Sequence, residues 1–124
     1  MPSPKILCVS FDRVVSESRS SSLKEAGYDV TATTNIMEGL ELLKRDRFDA
    51  VIVGHRFSAE EKYLLAVEAK EKSNTPLVLV CGATQDSEIP AASRVYALEG
   101  NTGLLSALSR LFPAESAARP QAAA

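Results

Sequence analysis

The stretch FDAVIVGHRF, residues 48–57, decides how this chain folds. Residues 50–53 are all apolar, so both faces of a strand built from them would be buried, which is typical of a central strand in a parallel sheet. The run ends at Gly54 and His55. We therefore expect this strand to bring residue 54 to the C-terminal edge of a sheet, and the residue it delivers there has no side chain.

Similar apolar runs alternate with helical patterns along the rest of the chain. The predicted strands cover residues 5–11, 28–34, 48–54, 75–83 and 94–98. The predicted helices cover residues 13–26, 36–47, 59–73 and 101–112. Residues 84–93 are ambiguous, because Pro90 limits a helix there to a short or irregular one. Strands that alternate with helices indicate an α/β protein whose parallel sheet carries helices on both faces.

Capping residues precede the predicted helices. Asp12 and Asn35 are N-cap types, and Ser58 with Glu61 has the spacing of a capping box. Asn101 or Thr102 is expected to cap the last helix. Capping explains Asp12 more simply than a role at a metal site does.

The first helical segment, residues 13–26, is unusually rich in serine. Serine has only a middling helix propensity, so a Ser-rich loop is the alternative to a helix. If it is helical, the spacing of its small and apolar residues predicts a face directed toward the sheet. That predicted face comprises Val14, Val15, Ser18, Ser22 and Ala26, with Leu23 beside it.

The chain has 124 residues, and its length and composition indicate one globular domain. We expect this domain to cover residues 1–112 and residues 113–124 to form a disordered tail rich in alanine and proline. The net charge of −2 argues against nucleic-acid binding. The chain shows neither a signal peptide nor a membrane span, and we expect a cytoplasmic protein with free thiols at Cys8 and Cys81.

Parallel strands deliver their last residues to one edge of the sheet, and ligands of such folds bind there. At this edge we expect a crevice formed by the residues that follow the first, third, fourth and fifth strands. Its members are Ser10, Phe11, Asp12, Gly54, His55, Cys81, Gly82, Leu98 and Glu99.

Several motifs in register resemble the CheY-like receiver domain of bacterial response regulators. KILCVSFD is similar to the opening ILVVDDD of that family, and LKEAGYDV to its L-x-x-x-G-Y-x-V. GLELLKRDRFDAVIV and TPLVLV also match the family pattern, and Tyr96 occupies the aromatic position that precedes its lysine. The resemblance covers residues 5–112 and implies a flavodoxin-like sheet of five parallel strands in the order 2-1-3-4-5.

The resemblance also implies a site for phosphoryl transfer, which needs an oxygen nucleophile and a metal held by oxygen ligands. The phosphoacceptor aspartate of the family corresponds to Gly54, and its acidic pair to Ser10 and Phe11. Its hydroxyl residue corresponds to Cys81 and its lysine to Glu99. The sequence therefore predicts a degenerate receiver with no phosphoacceptor, no catalytic residue, no metal and no cofactor.

We expect a stand-alone, non-enzymatic protein of bacterial signal transduction that docks to a protein partner or forms a homodimer. By analogy with the family, the docking face is predicted to include Val95, Tyr96, Leu104, Leu105 and Leu108. The alternative is a small-molecule or redox sensor that uses the vacated pocket.

Two residues of the predicted pocket have alternative roles. His55 is the only histidine, and it is either a polar strand-end residue or a metal ligand, phosphohistidine or pH switch. Cys81 is either a small core residue or a redox-active thiol. A disulfide with Cys8 is not expected, because the implied strand order places another strand between the two cysteines.

Overall fold

The computed structural model describes residues 3–81, 89 and 91–113. The strands are β1 (Lys5–Val9), β2 (Asp29–Thr33), β3 (Ala50–Val53), β4 (Leu77–Cys81) and β5 (Ser93–Tyr96). The helices are α1 (Arg13–Glu25), α2 (Ile36–Arg45), α3 (Ala59–Ser73) and α4 (Gly100–Leu111), with a 3-10 turn at Ala97–Glu99. All five strands pair in parallel in the order β2-β1-β3-β4-β5, which confirms the predicted sheet.

The predicted N-caps of the first three helices are confirmed. The Asp12 carboxylate accepts hydrogen bonds from the backbone N–H groups of Val14 at 2.7 Å and Val15 at 3.3 Å. Asn35 caps α2, and Ser58 caps α3 in a capping box with Glu61. The local sequence therefore fixes where these helices begin, and with them the loops at the strand ends.

Helix α4 begins differently from the prediction. It starts at Gly100, one residue before Asn101, and no side chain caps it. The Asn101 amide instead donates hydrogen bonds to the Oγ atoms of Ser18 at 3.1 Å and Ser22 at 2.9 Å. Two of the serines in α1 thus bind the neighbouring helix rather than face the sheet.

The hydrophobic core has one layer on each face of the sheet. On one face, the strands pack against α2 and α3 through Leu43, Leu65 and their neighbours. On the other, they pack against α1 and α4 through Leu23, Leu104 and Leu108. The central strands β1 and β3 are buried throughout apart from Lys5, as the apolar run in residues 50–53 predicts.

The predicted buried face of α1 is wrong. The helix buries Ser16, Arg19 and Leu23, whereas Val14 is 73% exposed. Leu23 is the one large aliphatic residue in the middle of the sheet-facing surface, and residues four and seven positions before it share its side of a helix. Burial of Leu23 therefore sets the rotation of α1 and carries Arg19 into the protein.

Parts of the prediction lie outside the described residues. These are most of the ambiguous segment 84–93, the last two residues of the predicted fourth strand, and residues 114–124 of the predicted tail. Within the described part of the chain, no helix is long and apolar enough to cross a membrane.

Candidate functional site at the strand ends

Ser10 and Gly54 meet at the C-terminal ends of the two central strands. Val9 and Val53 are partners in the β1–β3 pairing, and the Gly54 N–H donates to the Val9 carbonyl at 2.8 Å. The next residue of each strand is therefore held beside the other by the backbone ladder. This brings together two of the predicted pocket residues, both of them buried.

Arg19, which the sequence analysis did not consider, fills the space next to Gly54. Its side chain crosses from α1 to the strand ends, where Nη1 donates to the Ser10 hydroxyl at 3.1 Å. A Cβ atom added at residue 54 would lie 3.2 Å from the same Nη1 atom. A guanidinium nitrogen thus lies directly beside residue 54 at the end of β3.

Burial makes this arginine costly. Only 8% of Arg19 is exposed, and loss of water around the guanidinium lowers its pKa from the ordinary value. In the described part of the chain no carboxylate pairs with it, and its one hydrogen bond is to Ser10. A buried cation without an anion is unusual and is a reason to look for a role beyond packing.

Cys8 lies behind Ser10 on the same face of β1. Its sulfur is 3.7 Å from the Ser10 hydroxyl oxygen, and the residue is fully buried. Burial raises the pKa of the Cys8 thiol, although the hydrogen bond to Ser10 and the charge of Arg19 act in the opposite direction. The thiol is therefore protonated and unreactive at neutral pH.

His55 follows Gly54 and is partly buried. Burial lowers the pKa of the imidazole, and repulsion by Arg19, Lys62 and Arg56 lowers it further. Its Nδ1 atom is buried and has no hydrogen-bond partner. His55 is therefore a neutral imidazole at pH 7, surrounded by cations from three parts of the chain.

Phe11 lies at the outer rim of this site. The side chain is 55% exposed. Its ring packs edge-on against Phe57 at a centroid distance of 5.8 Å, and the Arg56 guanidinium lies 5.3 Å above the ring. The ring supports Arg56 through a cation–π contact beside the strand ends.

The two carboxylates predicted for the pocket point away from it. Asp12 is used by the backbone of α1. Glu99 is exposed and accepts a hydrogen bond from the Tyr96 N–H at 3.0 Å. Neither carboxylate joins Ser10 and Gly54, so among the residues that the structure describes this edge lacks the acidic side chains that a divalent cation needs.

Cys81 is a core residue, as the simpler of its two interpretations predicts. It is 1% exposed and belongs to the layer beneath α2 and α3. Both cysteines are free thiols, and β3 separates β1 from β4 as expected.

A magnesium ion, which the resemblance implies for an intact site, does not fit these residues. The groups at the strand ends are a hydroxyl held by a guanidinium, a glycine and a neutral imidazole. No cluster of three metal-binding side chains occurs among residues 3–81, 89 and 91–113. A fixed positive charge at this position opposes a second one.

The predicted docking face needs correction. Val95, Leu104 and Leu108 are at most 2% exposed and form part of the core, so they cannot contact a partner directly. They point inward because Val95 lies on the face of the sheet that α4 covers, and Leu104 and Leu108 lie on the side of α4 that packs against the sheet. Tyr96 is 48% exposed, while Leu105 is partly buried. The fully exposed Leu98, which follows β5, was not predicted as part of this face.

Solved structures similar to this chain decide the identity of the fold. A CheY-like receiver domain protein from Methanospirillum hungatei superposes with a TM-score of 0.79 at 19% identity, covering 91% of this chain and 96% of its own. The chain has the CheY-like receiver fold. The receiver domain of a histidine kinase from Syntrophus aciditrophicus gives 0.78 at 21% identity, with coverage of 90% and 92%.

A third similar structure has an occupied metal site. It is the receiver domain of a sensor histidine kinase from Pseudomonas aeruginosa with a magnesium ion in its active-site cleft. It matches with a TM-score of 0.77 at 18% identity, over 88% of this chain and 97% of its own. No protein-family model and no curated protein sequence matches this chain. At these sequence identities the similarity establishes the receiver fold. The chemistry of the site has to be inferred from the residues that form it.

Proposed function

We propose that this protein is a receiver-like component of bacterial signal transduction that does not accept a phosphoryl group and acts by docking to a protein partner. The observation that carries the proposal is the position of Arg19. Its Nη1 atom lies 3.2 Å from the point where the side chain of a phosphoacceptor would begin. A receiver fold with this substitution keeps the scaffold of the family without its reaction.

The chemistry of the strand ends supports the first half of the proposal. Transfer of a phosphoryl group to a receiver needs a carboxylate nucleophile and a metal that neutralises charge on the transferred group. Gly54 supplies no nucleophile, and Arg19 repels the metal. The hydroxyl of Ser10 is buried and bound by Arg19. We therefore propose that the protein is not an enzyme.

The surface at the end of β5 supports the second half of the proposal, docking to a protein partner. Tyr96 and Leu98 are two positions apart in the chain, and their exposed fractions are 48% and 102%. Glu99 fixes the backbone of this turn by accepting from the Tyr96 N–H. Exposed aromatic and aliphatic side chains on a rigid turn are suited to protein contacts. The revised docking face therefore comprises Tyr96, Leu98 and the partly buried Leu105.

Affinity capture with the full chain tests this proposal. We expect the wild-type protein to retain a component of a two-component pathway, and we expect Tyr96→Ala with Leu98→Ala to lose it. Met37→Ala is the matched control, because Met37 is an exposed apolar residue on α2, at 61%. Capture that survives the double substitution, or that changes when acetyl phosphate and Mg²⁺ are added, would contradict the proposal. Size-exclusion chromatography separates self-association from binding to another protein.

Redox sensing, one of the two alternatives, has little support. Cys8 and Cys81 are buried, and burial raises the pKa of Cys8. Thiolate character and access both determine oxidation, and a buried protonated thiol lacks both. The small-molecule alternative needs a vacated pocket, and the side chain of Arg19 fills the space beside Gly54.

A further inference from the structure

Helix α3 carries apolar side chains on its solvent side as well as on the side that faces the sheet. Toward the sheet it buries Leu65 and Ala69. On the other side, Tyr63 is 50% exposed and Leu64 is 49% exposed, and Val67 is partly buried. A helix that is apolar on both sides is typically covered on both sides. The outer side of α3 is therefore a candidate contact surface.

Both ends of α3 are fixed to the rest of the protein or capped. Ser58 and Glu61 form the capping box at its start. Near its end, the Lys72 ammonium donates hydrogen bonds to the carbonyls of Leu43 at 2.7 Å and Asp46 at 3.2 Å, at the C-terminal end of α2. The outer side of α3 is thus a preorganised surface, and little ordering is needed when it is covered.

Four residues form a line along this outer side, which we call the α3 seam. Its members are Glu60, Tyr63, Val67 and Lys70, and Leu64 flanks it. Successive members are three or four positions apart, the spacing along which two helices pair. Glu60 and Lys70, at the two ends of the seam, are both exposed. The seam therefore has an apolar middle, an acidic end and a basic end.

The α3 seam is complementary to itself when two copies run in opposite directions. Glu60 and Lys70 lie at equal distances from the level of Leu65, and so do Tyr63 and Val67. A two-fold axis at that level sets Glu60 opposite Lys70 of the second copy, and Tyr63 opposite Val67 of the second copy. A parallel pair would set each charge opposite its like, which is repulsive. Charge therefore selects the antiparallel arrangement.

We propose that this protein forms a weak antiparallel dimer in which the α3 helices of two copies pack along the α3 seam. The occupant of the exposed face is a second copy, because charge and apolar residues on α3 match their own pattern under two-fold rotation. One helix from each copy gives an interface at the small end of the range for protein complexes, so we expect a dissociation constant of roughly 10–100 µM.

The inference goes beyond the docking proposal and does not rest on it. Helix α3 lies on the opposite face of the sheet from α4. The docking face proposed above consists of Tyr96, Leu98 and Leu105, none of which belongs to α3. Dimerisation without capture of a partner, or capture without dimerisation, would separate the two proposals.

Sedimentation equilibrium of the full chain tests the inference, at concentrations from about 5 µM to about 1 mM. We expect a monomer–dimer equilibrium in the wild-type protein. Tyr63→Ala should weaken dimerisation about tenfold, because it removes the largest apolar contact of the seam. Tyr96→Ala is the matched control, since Tyr96 is a tyrosine of similar exposure, 48%, outside α3. It should leave the dissociation constant unchanged.

Charge reversal tests the antiparallel register. Glu60→Lys alone and Lys70→Glu alone should each weaken dimerisation about tenfold, because each sets like charges opposite one another at two symmetric places. An equimolar mixture of the two variants should dimerise like the wild-type protein, since opposite charges then meet at both places. The double variant should also dimerise like the wild-type protein. Glu41→Lys, at an exposed position on α2, controls for the change in net charge.

Three outcomes would overturn the inference. One is a wild-type protein that stays monomeric up to about 1 mM. A second is a dimer that Tyr96→Ala weakens and Tyr63→Ala does not. A third is a mixture of Glu60→Lys and Lys70→Glu that dimerises no better than either variant alone. The substituted positions are exposed, and circular dichroism confirms that each variant is folded before it is compared.

Discussion

Nη1 of Arg19 lies 3.2 Å from the point where a Cβ atom of residue 54 would stand. The two residues are 35 positions apart in sequence, and the packing of α1 against β1 and β2 together with the pairing of β1 with β3 brings them together. Loss of a side chain at one position and burial of a cation at the other are therefore complementary. Under the proposed function, the pair replaces an anionic strand end of the receiver fold with a cationic one.

Restoring a carboxylate next to Arg19 is expected to stabilise the protein relative to a neutral residue of the same shape. At pH 7, Gly54→Asp should unfold with a free energy about 1 kcal/mol greater than Gly54→Asn, the contribution of one charge-assisted hydrogen bond. Arg19 lowers the pKa of the new carboxyl, so the advantage exists above its ordinary pKa and is lost as the pH falls through the lowered value. Urea denaturation at pH 7 and pH 3 measures the difference in stability between the two variants and its loss at low pH. Equal stability at pH 7 would show that the two groups do not interact.

Arg19 is expected to contribute little net stability as a charge. Its desolvation, which lowers its pKa, opposes the gain from its single hydrogen bond. Arg19→Met keeps the length of the side chain and should change the free energy of unfolding by less than about 1 kcal/mol. Arg19→Ala also removes the packed stem and should cost about 2 kcal/mol. Thermal and urea denaturation of Arg19→Met and Arg19→Ala distinguish the contribution of the charge to stability from that of packing. A Met variant as unstable as the Ala variant would contradict this account.

His55 is expected to make stability depend on pH. Its folded-state pKa lies below the ordinary value of 6.5, so below pH 6.5 the unfolded chain binds the proton more readily than the folded one. The free energy of unfolding should therefore rise with pH through a window that ends near pH 6.5. Above that pH, His55 should contribute no further pH dependence. Denaturation between pH 5 and 8 should show a weaker rise in His55→Gln. An identical slope in the variant would mean that His55 does not titrate as described.

The charges that face His55 define a control for this pH dependence. They are Arg19 from α1, Arg56 from the loop after β3 and Lys62 from α3. In Arg19→Met one source of repulsion is gone, so the imidazole pKa followed by NMR should be higher than in the wild-type protein. An unchanged value would show that Arg19 does not act on the imidazole, and a lower value would contradict the account.

Both thiols are expected to be inert in the folded protein. Cys8 and Cys81 are at most 1% exposed, and burial raises the pKa of Cys8. A thiol-specific chromogenic reagent should therefore modify neither residue in buffer and both in denaturant. Rapid native modification of either thiol, or a disulfide between them after peroxide treatment, would revive the redox alternative.

The sequence predicted the scaffold because its signals are local. The apolar run at residues 50–53 and the caps at Asp12, Asn35 and Ser58 fixed strands and helix starts without long-range information. The resemblance to receiver domains then implied the strand order. The identity of residue 54 at the strand ends followed from that register.

The site itself was harder to predict because it depends on helix rotation. The apolar valines 14 and 15 suggested one face of α1, but the burial of Leu23 selects another and carries Arg19 inward. An arginine in a polar helix is normally a solvated residue, so composition gave no signal. The spacing of Ser16, Arg19 and Leu23 was the one clue, and it becomes informative only when Leu23 is taken as the anchor of the helix. The docking residues were mislocated for a similar reason, since Val95, Leu104 and Leu108 were treated as surface when they form core.

The central claim is that a fixed guanidinium and a glycine stand where a receiver would hold its phosphoacceptor and metal. Intact-mass spectrometry under denaturing conditions, after incubation with acetyl phosphate and Mg²⁺, tests it most directly, because weakly bound phosphate is removed and only a covalent adduct remains. We predict an unchanged mass for the wild-type protein. A wild-type adduct with the mass of one phosphoryl group, labile to hydroxylamine as an acyl phosphate is, would contradict the account.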